Sequence, residues 1–161
     1  MNHARGSGVD RVEPRRENIL SMFHEAQNTG SPHNFVTDED LSRIARRLGV
    51  PLAEVEGVLS FYRHFAREPR GRFVIRVCDS LSCRIKGSLD VYGHLQQRLG
   101  IGRNETTGDG LFTIELVNCL GSCDTAPNMM VNDELYTHLD EERIDAVLDS
   151  LAESAQEEVR P

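Results

Sequence analysis

The cysteines constrain this sequence more than any other feature, because all four fall into two close pairs, Cys78-x4-Cys83 and Cys119-x3-Cys123. Each pair follows an extended apolar run. Arg72-Phe73-Val74-Ile75-Arg76-Val77 leads into Cys78, and Leu111 to Val117, with Phe112, Ile114 and Leu116 on one face, leads into Cys119. Runs of this kind read as strands. Both thiol pairs then belong at the C-terminal ends of strands, on one edge of a sheet, where two loops can share one site.

What the thiols can be depends on where the chain resides. With 161 residues it is the size of one domain, or of a small domain with a helical extension. A formal charge of −8 and a pI near 5.2 argue against nucleic acid as a partner, since phosphate binding is driven by clustered Lys and Arg. No apolar run is long enough for a bilayer, and residues 1–16 lack the apolar core of a secretory signal. The expectation is a cytoplasmic protein without a direct membrane span, free or on the cytoplasmic side of a membrane-bound complex. A reducing compartment disfavours structural disulfides and turns attention to metal or redox chemistry.

Three regions follow from periodicity. Residues 1–14 are polar and without period, a disordered or partner-ordered lead. Residues 15–70 read as a three-helix docking bundle. Ile19, Met22, Phe23 and Ala26 mark the first helix, and a second opens at Thr37 with Asp40 as a capping-box variant and closes at Gly49. A third begins after Pro51 with the stripe Val55, Val58, Leu59, Tyr62 and Ala66. From residue 71 to 161 the two strands alternate with a helix from Ser88 to Leu99, whose inward side is Leu89, Tyr92, Leu95 and Leu99. A hairpin around Asn132-Asp133 and a last helix capped by Asp140 follow. The fold class is α+β, and the order β-α-β-β-α is that of a thioredoxin-like domain with a mixed four-stranded sheet.

Four cysteines in two near pairs suit a 2Fe-2S cluster, which needs two protein thiolates at each tetrahedral iron. Structural zinc is the rival, although it favours C-x2-C spacing, and a disulfide or free thiols are the third reading. Gly87 and Gly121 allow close backbone approach, so that N–H groups can point at sulfur. Arg84 and Lys86, the only lysine, are placed either to offset an anionic cluster or as ordinary surface charges. No P-loop, dinucleotide-binding glycine fingerprint or Ser/His/Asp arrangement is present, so no catalytic residue is assigned and the isolated chain is expected to turn over no substrate. A C-x-x-C redox motif is also missing.

The segments Val50-Pro51-Leu52, Gly57-Val58-Leu59-Ser60-Phe61-Tyr62, Val77-Cys78-Asp79-Ser80-Leu81-Ser82-Cys83 and Cys119 to Val131 cover much of the chain. In them the sequence resembles the thioredoxin-like 2Fe-2S ferredoxin family. Members serve as the small, E-type component of NADH-quinone oxidoreductase, respiratory complex I. Similar components occur in NAD-linked formate dehydrogenases and in NAD(P)-linked or bifurcating hydrogenases. The resemblance implies that Cys78, Cys83, Cys119 and Cys123 bind a 2Fe-2S cluster and that the chain transfers one electron at a time beside the flavin of an NADH dehydrogenase module. It further implies a flavoprotein partner that holds FMN and binds NADH, with further iron-sulfur subunits beyond it. A zinc-bound thioredoxin-like adaptor is the more distant alternative.

Overall fold

The computed structural model describes residues 8–30 and 34–159, and the chain divides into two compact units between Arg70 and Gly71. In the first unit, a single 3-10 turn, Gly8–Arg11, precedes a second one at Arg16–Asn18 and helix α1, Ile19–Glu25, which continues as a π turn through Ala26–Gly30. Helix α2, Asp38–Leu48, starts as its sequence dictates. Thr37 Oγ1 accepts from the Asp40 N–H at 3.1 Å while Asp40 Oδ2 accepts from the Thr37 N–H at 3.2 Å, and Gly49 ends the helix at φ 65°. Helix α3, Leu52–Phe61, follows Pro51. Met22, Phe23, Leu41, Ile44 and Val55 of the three helices share one core.

Two expectations are corrected in this unit. The lead of residues 1–14 is not structureless over its described part: Val9 is fully buried in the bundle core, and Arg47 donates to the carbonyls of Val9 and Val12, fixing the turn. Residues 1–7 lie outside the described residues. The third helix stops before Tyr62, so its stripe does not run on to Ala66. Instead Gln27, itself 2% exposed, accepts from the Ala66 N–H at 2.9 Å, and the Ala66 carbonyl accepts from the Val36 N–H. Captured there, the chain turns Phe65 edge-on to Phe23 with ring centroids 5.2 Å apart, and an aromatic contact takes the place of another helical turn.

The second unit is built on a four-stranded sheet in the order β2-β1-β3-β4, with β1 Phe73–Cys78, β2 Phe112–Val117, β3 Met129–Val131 and β4 Glu134–Tyr136. Strands β1 and β2 are parallel, and the other pairings are antiparallel. The connection from β1 to β2 carries α4, Leu81–Ile85, and α5, Ser88–Leu99. The last helix, α6, spans Glu141–Val159 and is capped by Asp140, whose Oδ1 accepts from the Arg143 N–H at 2.8 Å. Ile75, Val77, Leu95, Ile114, Met129 and Ile144 form the core. The α+β class and mixed sheet expected from the sequence are thus present.

Helix α5 turns Tyr92, Leu95 and Leu99 toward the core as expected, with Val91 in place of Leu89. Val91 and Leu95 are buried, whereas Leu89 is 45% exposed. On the opposite face of β1, Arg76 bonds Glu115, its cross-strand neighbour on β2, at 3.1 Å and the Asn132 carbonyl at 2.9 Å. Gly71, at the start of this unit, passes so close to β2 that a Cβ there would meet backbone atoms of Phe112 and Leu111 at 2.8 and 2.9 Å. Gly71→Ala should therefore destabilise the second unit by about 1–3 kcal/mol through overpacking. Thermal unfolding of the full chain would show this as a lower Tm, and an unchanged Tm would contradict the packing described.

Candidate metal centre

Parallel pairing of β1 with β2 places Cys78 directly beside Val117, so the strands release their two thiol-bearing segments at the same end of the sheet. From Cys78 the chain enters α4, and its single turn buries Cys83 while leaving Leu81 and Ile85 74% and 77% exposed. From Val117 it enters a loop in which Cys119 and Cys123 are exposed, Gly121 takes φ 76° and the Ala126-Pro127 peptide is cis. Two thiols are therefore buried and two face out. None of the four forms a disulfide.

The segments meet through sulfur. The Cys78 thiol donates to the Asn118 carbonyl at 3.5 Å and is within hydrogen-bonding reach of the Cys83 thiol and the Leu120 N–H; Cys83 in turn reaches Cys123. In the fourth cysteine, Cys119 Sγ accepts from the Gly121 N–H at 3.3 Å. Among the described residues, no three His, Cys, Asp or Glu side chains converge on a single metal-ion position. Two inner and two outer thiols at one sheet edge suit a binuclear group better than a single tetrahedral ion.

Their protonation reflects this crowding. Burial pushes the Cys83 thiol up, and the hydrogen bond and negative charge of Cys78 and the charge of Cys123 add to it, to about 12. For Cys78 burial acts in the same direction, but hydrogen bonds from the Ser80 backbone, Cys83, the Ser80 hydroxyl and Leu120 outweigh it and bring the thiol below its ordinary value. Cys83 therefore gives up its proton less readily than Cys78. Ligation requires both as thiolates, so loading the site must expel protons.

The two cationic candidates separate. Arg84 pairs with Asp79 at 2.6 Å, so its charge is locally balanced. Lys86 donates from Nζ to the carbonyls of Cys123 at 3.0 Å and Asp124 at 3.2 Å. Sequence reasoning missed Asn128, 1% exposed, whose amide donates to the Ser122 carbonyl inside the second cysteine loop. Its only sequence signal is its place just after Pro127. Helix α4 was also missed, being too short to display a helical period.

The sequence profile of a family described as thioredoxin-like 2Fe-2S ferredoxin matches residues 7–152. The E-type subunit of NADH-quinone oxidoreductase from Pseudomonas aeruginosa is 42% identical over 124 residues, 77% of this chain and 72% of that relative. Its counterpart of the same name from Escherichia coli K12 is 43% identical over 137 residues, 85% of this chain and 80% of that relative. Among solved structures, a chain of an NAD+-reducing NiFe-hydrogenase in the air-oxidized state shares the fold, with a TM-score of 0.74 at 23% identity. The match covers 95% of this chain and only 25% of the hydrogenase chain. With a profile match over most of its length, and with four thiols gathered where the β1 and β2 segments end, the chain belongs to the thioredoxin-like 2Fe-2S ferredoxin family.

Proposed function

We propose that this chain is the small one-electron-transfer subunit, of the E type, of an NADH-quinone oxidoreductase, and that Cys78, Cys83, Cys119 and Cys123 hold its 2Fe-2S cluster. The observation that carries the reading is the gathering of these thiols at one sheet edge in a chain 42% identical to a subunit of that enzyme. When bound, the cluster supplies a site for one-electron oxidation and reduction. The chain's own residues do the rest. Cys78 and Cys83 form the buried side of the site, Cys119 and Cys123 form the outer side, and N–H groups such as that of Gly121 point at sulfur, where they favour negative charge.

Electron exchange needs a partner close to the sulfur atoms, and α4 supports such an approach. Leu81 and Ile85 are large, apolar and mostly exposed on the same turn that carries Cys83, a suitable docking surface beside the site. The partner is the flavoprotein that holds FMN and binds NADH, with further iron-sulfur subunits in the same complex. In this reading the bundle of residues 15–70 is the docking part and residues 71–161 the cluster-bearing part. The chain works on the cytoplasmic side as part of an oxidoreductase complex; no helix among the described residues is long and apolar enough to cross a membrane.

Affinity purification of the tagged full chain from its native cells, followed by identification of the associated subunits, tests the assignment. Recovery of an FMN-containing NADH-oxidising subunit together with quinone-reductase subunits is the expected result. Recovery of hydrogenase or formate dehydrogenase subunits in their place would move the chain to another host enzyme, and recovery of a colourless zinc-loaded chain would overturn the cluster itself.

A further inference from the structure

Lys86 reaches both thiol-bearing segments, one through its backbone and the other through its side chain. It ends α4, where its N–H donates to the Cys83 carbonyl at 3.1 Å, and its ammonium donates to the carbonyls of Cys123 and Asp124. One residue therefore bonds the carbonyl of a cysteine from each pair. The loop it reaches has a second tie in Asn128, which bonds Ser122, but that tie comes from within the same loop. Gly87, at φ 94°, lets the chain turn away into α5 immediately after Lys86.

We propose that Lys86 is a positioning residue for the cluster: its ammonium clamps the Cys119–Cys123 loop onto the Cys78–Cys83 turn, which sets how tightly iron is retained and makes the added electron easier to accept. This rests on the assignment of the four thiols as ligands. Cys119 and Cys123 are exposed, and a loop carrying outer ligands is where loss of iron starts, because local opening needs the least free energy in exposed loops. An ammonium bonded to two carbonyls opposes that opening. Its positive charge beside a ligand's backbone also favours the reduced, more negative state. Arg84, two residues earlier, carries the same charge but spends it on Asp79 and is not seen to hold the second loop.

The test uses the full chain, loaded with iron and sulfide, in four forms: parent, Lys86→Met, Lys86→Arg and Arg84→Met. Lys86→Met keeps the backbone bond to Cys83 and removes only the clamp. It should still take up two irons but lose visible absorbance to an iron chelator roughly tenfold faster, a factor in keeping with the loss of two solvent-exposed ammonium–carbonyl hydrogen bonds. Its midpoint potential should fall, Lys86→Arg should restore most of the potential, and Arg84→Met should stay within about twofold of the parent in retention. Equal retention and potential in Lys86→Met and parent would overturn the clamp. So would an equal loss in Arg84→Met, which would mean that any nearby positive charge suffices, or an unfolded Lys86→Met apo chain by circular dichroism. A cluster that survives removal of a cysteine donor would instead remove the ligand assignment beneath the proposal, and that experiment is separate.

Discussion

Cys83→Ala should give a folded but colourless chain with no bound cluster. Cys83 is 1% exposed and lies within hydrogen-bonding reach of both Cys78 and Cys123, so it is the thiol on which the two segments converge. Alanine is the informative substitution, since a serine oxygen could still meet iron. With three of four thiolates remaining, one iron keeps a single protein ligand, and the cluster's binding free energy has no substitute in the surrounding protein. The fold should survive: the sheet core of Ile75, Val77, Leu95 and Ile114 does not include Cys83, and deleting one buried sulfur costs little beside it. Iron analysis, visible spectroscopy and electron paramagnetic resonance after reduction are the measurements. Two irons per chain with an unchanged spectrum would mean that Cys83 is not a ligand.

The positions of the thiols were legible in the sequence because strand periodicity and cysteine spacing are both local. Phe73 to Val77 and Phe112 to Val117 are recognisable strands wherever they occur, and a cysteine just after a strand must lie at its end. The capping box of Thr37 and Asp40 was legible for the same reason. What remained hidden depended on tertiary partners. Leu89 and Val91 offer competing apolar arcs on α5, and only the sheet decides that Val91 is buried. Val9 and Val12 are isolated apolar residues in a polar lead too short to display a helical period. Lys86 read as a charge near the site, whereas its hydrogen bonds to Cys123 and Asp124 exist only after the two segments are assembled.

Phe23→Ala should separate the two roles assigned to the chain. Phe23 is fully buried in the bundle core, with its ring edge-on to Phe65 at 5.2 Å. Removing a buried phenylalanine costs about 3–5 kcal/mol. A unit of this size is stabilised by only about 3–10 kcal/mol in total, so the first unit should be largely unfolded or close to it at physiological temperature. Its core, however, shares no residue with the sheet core of the second unit, and all four thiols lie in the second unit. The variant should therefore load two irons with a parental spectrum, yet recover far less of the flavoprotein partner in affinity purification. Circular dichroism and limited proteolysis report the state of the bundle alongside. Undiminished partner recovery with a melted bundle would show that residues 15–70 are not the docking part, and loss of the cluster would show that the second unit depends on the first for its site.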